Sequence, residues 1–219
     1  MKLSFKPKEI DDHVLKLIVG LVALGLPFLT SFLSANTIDS ISDSYYHDGW
    51  TRDFFIGCLF AISSFMFAYN GDSPAEMILS KIVALAGLGV VLFPCHCGEP
   101  RGISSDIHYT FAAIMFAVLA CLCRVFYKRA KAKGHPQAKW RSYIYAVCGT
   151  TIVIVIAVLG ADNFTSAHAY LGLKHPRLTF FGEWTGLVAF GISWLVASRA
   201  IPFITKPEER VSLLPISSS

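Results

Sequence analysis

The chain has little charge, because only 16% of its 219 residues are Asp, Glu, Lys or Arg, against roughly a quarter in an ordinary soluble domain. It also lacks long polar segments, since 20 residues or fewer separate successive apolar runs. These two absences exclude a separate soluble catalytic domain. An internal repeat is absent too, so the inverted repeats of many transporters are not supported. Hydrophobic residues make up 54% of the chain, and this indicates a membrane protein.

Six apolar runs match a hydrocarbon core about 30 Å thick, which takes about 20 helical residues to cross. They cover residues 14–35, 54–69, 77–94, 107–127, 142–159 and 180–200. The second run is short, but it contains no charge and has charged residues on both sides. We therefore predict an all-α fold, a bundle of six transmembrane helices in a single domain over residues 1–205. Residues 206–219 are polar and predict a disordered tail.

The distribution of Lys and Arg predicts the orientation of the bundle. If the N-terminus is cytoplasmic, only four of the 19 basic residues fall outside: Arg52, Arg101, Lys174 and Arg177. Residues 124–141 alone contain seven basic residues and no acidic one. Because cytoplasmic loops are enriched in Lys and Arg, we predict a plasma-membrane protein with both termini in the cytoplasm. Membrane lipids are the expected partners and nucleic acid is not, since the basic residues are sorted by segment.

Small residues recur at helical spacing on two of the predicted spans. They are Asp53, Gly57, Ala61, Ser64 and Ala68 on the second span, and Gly182, Gly186, Ala189, Ser193 and Ala197 on the last. Such stripes let helix backbones approach closely, so both are predicted to pack. Asp53 is charged, and packing does not explain it.

Polar residues that bear chemistry gather on the predicted outer side. Five of the seven histidines fall there: His47, His96, His108, His168 and His175. The first outer connection combines hydroxyls, carboxylates, an imidazole and a guanidinium. Within it, Ser42, Tyr45, Tyr46 and Arg52 are candidates to bind a lipid-like or small-molecule ligand. The tyrosines fit equally well as aromatics that anchor the loop at headgroup depth.

Asp53, His108 and Glu183 are the candidate catalytic residues. Glu183 is the only acid in the last apolar run, where a carboxyl group is costly unless it is paired, hydrogen-bonded or protonated. A wetted acid near a helix N-terminus is the alternative interpretation. His108 stands at a similar depth, so the three residues are predicted to share a layer near the outer face.

A metal site is a further prediction, with His47, His96 and His108 as ligands and zinc as the metal. Cys95 and Cys97 flank His96, and thiolate and imidazole are good zinc ligands. A lone Cys-x-Cys is nevertheless a weak signal, because structural zinc sites usually show two Cys-x2-Cys pairs.

Several short motifs are distributed along the chain: Ser40-x-Ser42-x-x-Tyr45-Tyr46, Arg52-Asp53-x-Phe55-x-Gly57, Gly89-Val90-x-Leu92-Phe93-Pro94, His108 and Phe190-Gly191-Ile192-Ser193-Trp194-Leu195-Val196. With these motifs, most of the chain resembles an uncharacterised family of small bacterial six-span membrane proteins. This resemblance implies a fold and no activity. Ser42, His47 and Asp53 are more distantly similar to the cluster of the ceramidase and adiponectin-receptor-like hydrolases, which have seven spans and hold zinc with a Ser, an Asp and three His. The chain departs from that pattern, since its last span lacks a His-x-x-x-His.

Three functions stay open at this point. The first is a metal-dependent hydrolase of a lipid or lipid-like substrate, with Asp53 or Glu183 as general base. The second is a protein that binds or passes a cation, a proton or a small solute through an outward-facing polar site. The third is a non-catalytic assembly or sensory partner whose basic connection meets anionic lipid or another protein.

Overall fold

The computed structural model describes residues 11–34, 37–47, 49–95, 102–164 and 177–210, without the side chains of residues 163 and 164. Within these ranges the chain is helical and contains no strand. Six helices are long and apolar enough to cross a membrane. They are α1 (Asp12–Leu33), α2 (Trp50–Ala68), α3 (Pro74–Leu92), α4 (Ile103–Ala132), α5 (Pro136–Phe164) and α6 (Leu178–Ala197). The predicted all-α bundle is confirmed, and the chain is an integral membrane protein.

The helices form a closed ring in chain order. Each packs against its neighbours along the chain, and α6 closes the ring on α1. Successive helices run in opposite directions, so their connections alternate between the two ends of the bundle. We call the end that carries residues 37–47 the loop end, and the end that carries Arg129, Lys133 and Arg141 the basic end. A 3-10 helix, Ser42–Tyr46, lies at the loop end against α2.

The surface and the interior differ as expected for a bundle surrounded by lipid. Large apolar side chains point outward from several helices, and Leu21, Phe60 and Leu85 are each more than half exposed. Membrane lipids are the solvent that these side chains fit. The centre is filled by aromatic and aliphatic side chains, among which Trp194 and Leu26 are fully buried.

Helices α1 and α6 approach each other closely. A Cβ on Gly20 would lie 2.9 Å from the Leu195 backbone nitrogen, and one on Gly191 would lie 3.0 Å from the Gly20 carbonyl oxygen. Gly191 was not among the small residues predicted to pack on the last span, but four of those five are buried, namely Gly186, Ala189, Ser193 and Ala197. The stripe on α2 differs, because it lies on the bundle surface: Gly57 is exposed, and a Cβ added to it would have no neighbouring atom within 4 Å.

Helices α4 and α5 extend beyond the apolar runs that predicted them, into the polar residues of the basic end. The chain returns to this end after α6, where a 3-10 turn, Pro207–Glu209, begins the segment predicted as a disordered tail. Residues 206–210 belong to the described part of the chain, and residues 211–219 lie outside it.

Candidate functional site

The loop end contains a half-buried carboxylate with an unusual number of donors. Glu183 lies in the second turn of α6. Its Oε2 accepts hydrogen bonds from Ser40 Oγ at 2.7 Å, Ile41 N at 2.6 Å and Ser42 N at 3.3 Å, and its Oε1 accepts one from Ser42 Oγ at 2.8 Å. Successive backbone N–H groups that point at one oxygen form an anion-binding concavity. Glu183 thus accepts four hydrogen bonds from three residues of the loop.

The loop that supplies these donors is fastened to the start of α6. Ile38 and Ile41 are buried and anchor it in the core. Phe180 N donates to the Asp39 carbonyl oxygen at 3.1 Å, and Arg177 Nε donates to the Ile38 carbonyl oxygen at 3.0 Å. The loop therefore holds its donors in a defined position over Glu183.

His108 joins the site from α4. It is 2% exposed, with Nδ1 2.9 Å from the Phe93 carbonyl oxygen at the end of α3 and Nε2 3.1 Å from Ser42 Oγ. The ring of Phe111, one turn along α4, stacks on Phe93 with 6.0 Å between the centroids. Gly89 makes room for it, since a Cβ there would lie 2.3 Å from Phe111. Four parts of the chain thus meet at Ser42, namely the loop, α3, α4 and α6.

The hydrogen bonds around Ser42 can be satisfied by two arrangements of protons. A carbonyl oxygen only accepts, so His108 Nδ1 carries a proton. The Ser42 hydroxyl has one proton and two polar neighbours, His108 Nε2 and Glu183 Oε1. If Ser42 donates to Glu183, Nε2 must be protonated and His108 is a cation; if Ser42 donates to His108, Glu183 must be protonated. In both arrangements, the pair of His108 and Glu183 contains one proton more than a neutral imidazole and an ionised carboxylate would.

Other charged groups near the site are engaged elsewhere or point outward. Asp43 lies 3.6 Å from His47, and Asp106 is exposed. Among the described residues, Glu183 forms no ion pair with a Lys or Arg side chain. Its described partners are the hydrogen-bond donors of the loop.

The structure separates the residues that the sequence predicted as one layer. His108 and Glu183 come together through Ser42. Asp53 does not join them, because it is exposed on the first turn of α2, 3.7 Å from Arg52 Nε. It lines a surface groove of about 340 Å³ between α1 and α2. Arg52 is likewise exposed.

The two candidate tyrosines differ in their surroundings. Their rings contact each other edge to face, with 5.3 Å between the centroids. Tyr45 is half-buried against the core, and Tyr46 is 41% exposed. A ligand at the loop end would reach Tyr46 first.

The described residues give no support to the predicted zinc site. Both ring nitrogens of His108 already have protein partners, and His47 faces Asp43. In the ranges that the structure describes, no three His, Cys, Asp or Glu side chains are grouped so that they could hold a metal ion. His96 and Cys97 lie outside those ranges, as do His168 and His175. A zinc site that includes His96 stays a prediction.

Two residues of interest were missed from the sequence. Ser40 was seen only as part of a polar loop, although two serines at i and i+2 are suited to donate to one carboxylate. Lys16 is the only Lys or Arg in the first apolar run. The rule that singled out Glu183, a lone charge within a span, could have found it.

The fold and the site together define the class of protein: an integral membrane protein of six spans, with a buried Ser-His-Glu site at one end. Comparisons of the chain with protein-family models, curated proteins and solved structures gave no match. The resemblance to small bacterial six-span proteins stays a prediction.

Proposed function

We propose that the protein is a proton-binding membrane protein that responds to the pH outside the cell. The observation that carries this proposal is the position of Ser42, whose single hydroxyl bridges His108 Nε2 at 3.1 Å and Glu183 Oε1 at 2.8 Å. Complete hydrogen bonding there needs one additional proton. Uptake of that proton fastens the loop of residues 38–46 to α4 and α6, and its release frees one of these contacts.

The orientation of the bundle is part of the proposal. The loop end faces outward and both termini lie in the cytoplasm of a cell with this protein in its plasma membrane. The concentration of Lys and Arg at the basic end supports that orientation. A proton at the loop end then comes from the external solution.

The apolar core between the two ends favours a role in sensing pH over a role in conducting protons. Described side chains at mid-depth are largely aliphatic or aromatic, including Leu59, Leu119 and Phe190. A proton pathway needs a chain of polar groups or water. The proposed role of the proton is therefore to fix the position of the loop.

Ser42→Ala tests this proposal, because it removes the bridge between His108 and Glu183. Hydrogen exchange of the loop amides is measured in nanodiscs from about pH 6 to about pH 9, a range that brackets the titration of free histidine, and is corrected for intrinsic exchange rates. In the unaltered protein, protection of Ile41 and Ser42 should fall as the pH rises. In Ser42→Ala the protection should be lower and should no longer vary with pH.

Ser44→Ala is the matched control. Ser44 lies in the same 3-10 helix and is fully buried, and its hydroxyl has no hydrogen-bond partner among the described residues. This control should keep the pH dependence of the unaltered protein. An identical pH dependence in Ser42→Ala and Ser44→Ala would contradict the proposal.

A second candidate function is hydrolysis with Ser42 as the nucleophile. It is favoured by the pairing of Ser42 Oγ with His108 Nε2, while Nδ1 of the same ring donates to a carbonyl oxygen, which resembles the nucleophile and base of acyl-transfer enzymes. The limited exposure of Ser42, 7%, counts against access by a lipid substrate. Covalent labelling of Ser42 by a fluorophosphonate, lost in Ser42→Ala, would support hydrolysis, and no labelling in detergent or lipid would exclude it.

A further inference from the structure

The basic end contains a second polar site, built from residues that the loop-end site does not use. Helices α1, α4 and α5 and the end of α6 surround a small opening of about 30 Å³. Five cationic side chains line it: Lys16, Arg129, Lys133, Arg141 and Arg199. Such a concentration of positive charge in one opening points to an anion.

Lys16 is a buried cation without an ion pair. It is 2% exposed in the second turn of α1. Its ammonium lies 5.1 Å from the ring centroid of Tyr69 and 5.7 Å from that of Phe126. Asp12 and Asp72 act on it electrostatically, but neither is within ion-pairing distance among the described contacts. Two aromatic faces attract the cation without neutralising it.

Arg199 is placed over the opening by an unusual backbone. It follows the end of α6 with φ 60°, and it is the only described residue besides glycine with a positive φ. Glycine is the usual residue at this position after a helix, because a Cβ is unfavourable in the left-handed region. Arg199 forms no ion pair with a described carboxylate. The chain thus keeps an unpaired guanidinium where the backbone favours glycine.

Arg141 and Glu209 show how an anion is held beside this opening. Glu209, from the turn after α6, accepts from Arg141 Nη2 at 2.8 Å and Lys133 Nζ at 2.5 Å. Burial alone would raise the pKa of Glu209, but these two partners lower it to about 2. Arg141 is only 3% exposed, yet its Nη1 has no hydrogen-bond partner among the described residues. A buried donor without a partner is costly, and a further anionic oxygen would satisfy it.

The described carboxylates do not balance the cations. Arg129 pairs with Asp72 and Glu76, and Glu209 serves both Lys133 and Arg141. Five cations therefore face three paired carboxylates, and Asp12, which acts on Lys16 without pairing with it, is a fourth. One positive charge is left. A phosphoryl group with one ester bond carries about −1.5 to −2 charges near neutral pH, and guanidinium groups bind its oxygens through paired N–H donors.

We propose that this opening binds a phosphoryl group, presented either by the headgroup of an anionic phospholipid or as free phosphate. Lys16, Arg141 and Arg199 are its principal donors. The opening lies at the end of the bundle, at the depth of the lipid headgroups. Anionic lipids are concentrated in the cytoplasmic leaflet. Glu209 competes with the phosphoryl group for Arg141 and Lys133.

The test uses the full-length protein in phosphatidylcholine nanodiscs, with thermal unfolding as the readout. One arm adds inorganic phosphate and compares it with chloride at equal ionic strength; the other replaces part of the lipid by phosphatidic acid, with phosphatidylserine at equal charge for comparison. We expect stabilisation by phosphate, by phosphatidic acid or by both. Stabilisation by phosphate identifies a site open to free phosphate, and stabilisation by phosphatidic acid alone identifies a headgroup site.

Variants locate the binding. Lys16→Met and Arg199→Gln should each weaken binding at least tenfold, while Lys139→Gln, which removes an exposed cation of the same end that does not line the opening, should leave it unchanged. Glu209→Gln should strengthen binding several-fold, because the competing carboxylate is gone. If Lys16→Met does not fold, Arg199→Gln alone still tests whether the cations of the opening bind the phosphoryl group. The proposal is overturned if neither probe stabilises the protein beyond its comparison, if Lys139→Gln weakens binding as much as Arg199→Gln does, or if Glu209→Gln weakens it.

Discussion

Glu183→Gln should remove the proposed additional proton and still keep the principal hydrogen bonds of the loop-end site. The amide oxygen of Gln can accept from Ser40 Oγ and from the backbone N–H groups of Ile41 and Ser42, as Oε2 does now. The amide nitrogen can then donate to Ser42 Oγ, and Ser42 can donate its own proton to His108 Nε2. The variant therefore copies the arrangement in which Glu183 is protonated.

The expected magnitude follows from the number and kind of hydrogen bonds. Hydrogen bonds to a charged group contribute about 1.5–3 kcal/mol and neutral ones about 0.5–1.5 kcal/mol. Glu183 accepts four such bonds from three residues. Because all four are kept in neutral form and the desolvation of a charge is avoided, we expect a net loss of only about 1–3 kcal/mol in the free energy of unfolding.

The pH dependence of stability distinguishes Glu183→Gln from the unaltered protein more clearly than the loss of stability does. A separate glutamate and histidine share no proton above about pH 6.5. With the proposed additional proton, the folded site binds one proton more than the unfolded chain. Stability then falls as the pH rises, by up to about 1.4 kcal/mol per pH unit for one proton. In Glu183→Gln this contribution should be absent.

Equilibrium unfolding in mixed micelles at several pH values measures this contribution. Nitrogen NMR of labelled histidine provides an independent check, since it distinguishes a His108 cation from the neutral ring, with its proton on Nδ1, that the variant should contain. Asp53→Asn is the matched control, because it removes an exposed carboxylate at the same end. The reasoning is refuted if Glu183→Gln and the unaltered protein show the same slope of stability against pH.

Two further predictions concern packing and backbone conformation. Gly89→Ala should destabilise the protein by about 1–3 kcal/mol, because the added Cβ would overlap the ring of Phe111 in a well-packed contact. Gly57→Ala, at an exposed helical position, should instead stabilise the protein by up to about 1 kcal/mol. Thermal unfolding of the two variants measures both effects. Arg199→Gly should raise the free energy of unfolding by about 1 kcal/mol, since it relieves a left-handed conformation that is unfavourable for residues with a Cβ, and should at the same time weaken phosphate binding. A loss of stability in Arg199→Gly would show that its side chain makes contacts beyond those described.

Hydropathy was sufficient to predict the bundle, because the hydrocarbon core imposes one length on every span. Even the short second run corresponds to a full helix, Trp50–Ala68. The ends of the helices were less predictable. The fourth run was expected to end at residue 127, but α4 continues to Ala132, since a helix can extend beyond the membrane through polar residues that hydropathy does not count.

The loop-end site was predictable only in part. The cost of a lone charge or imidazole in an apolar run singled out Glu183 and His108. That they meet at Ser42 depends on the path of the loop, which the two buried residues Ile38 and Ile41 determine through contacts that are distant along the chain. Asp53 has the same chemical character as Glu183 but faces outward, because the rotation of α2 about its axis depends on its neighbours and not on its own sequence pattern.

The contact of Gly20 with Gly191 and Leu195 has a mechanical consequence. Because the two backbones touch there, α1 and α6 cannot slide past each other without a clash at Gly20. Glu183 stands near one end of α6, and Ala197, the last residue of the helix, is about 21 Å away for a rise of 1.5 Å per residue. In the proposed orientation, a shift of α6 when the proton binds at the loop end would also move the start of the segment that carries Arg199.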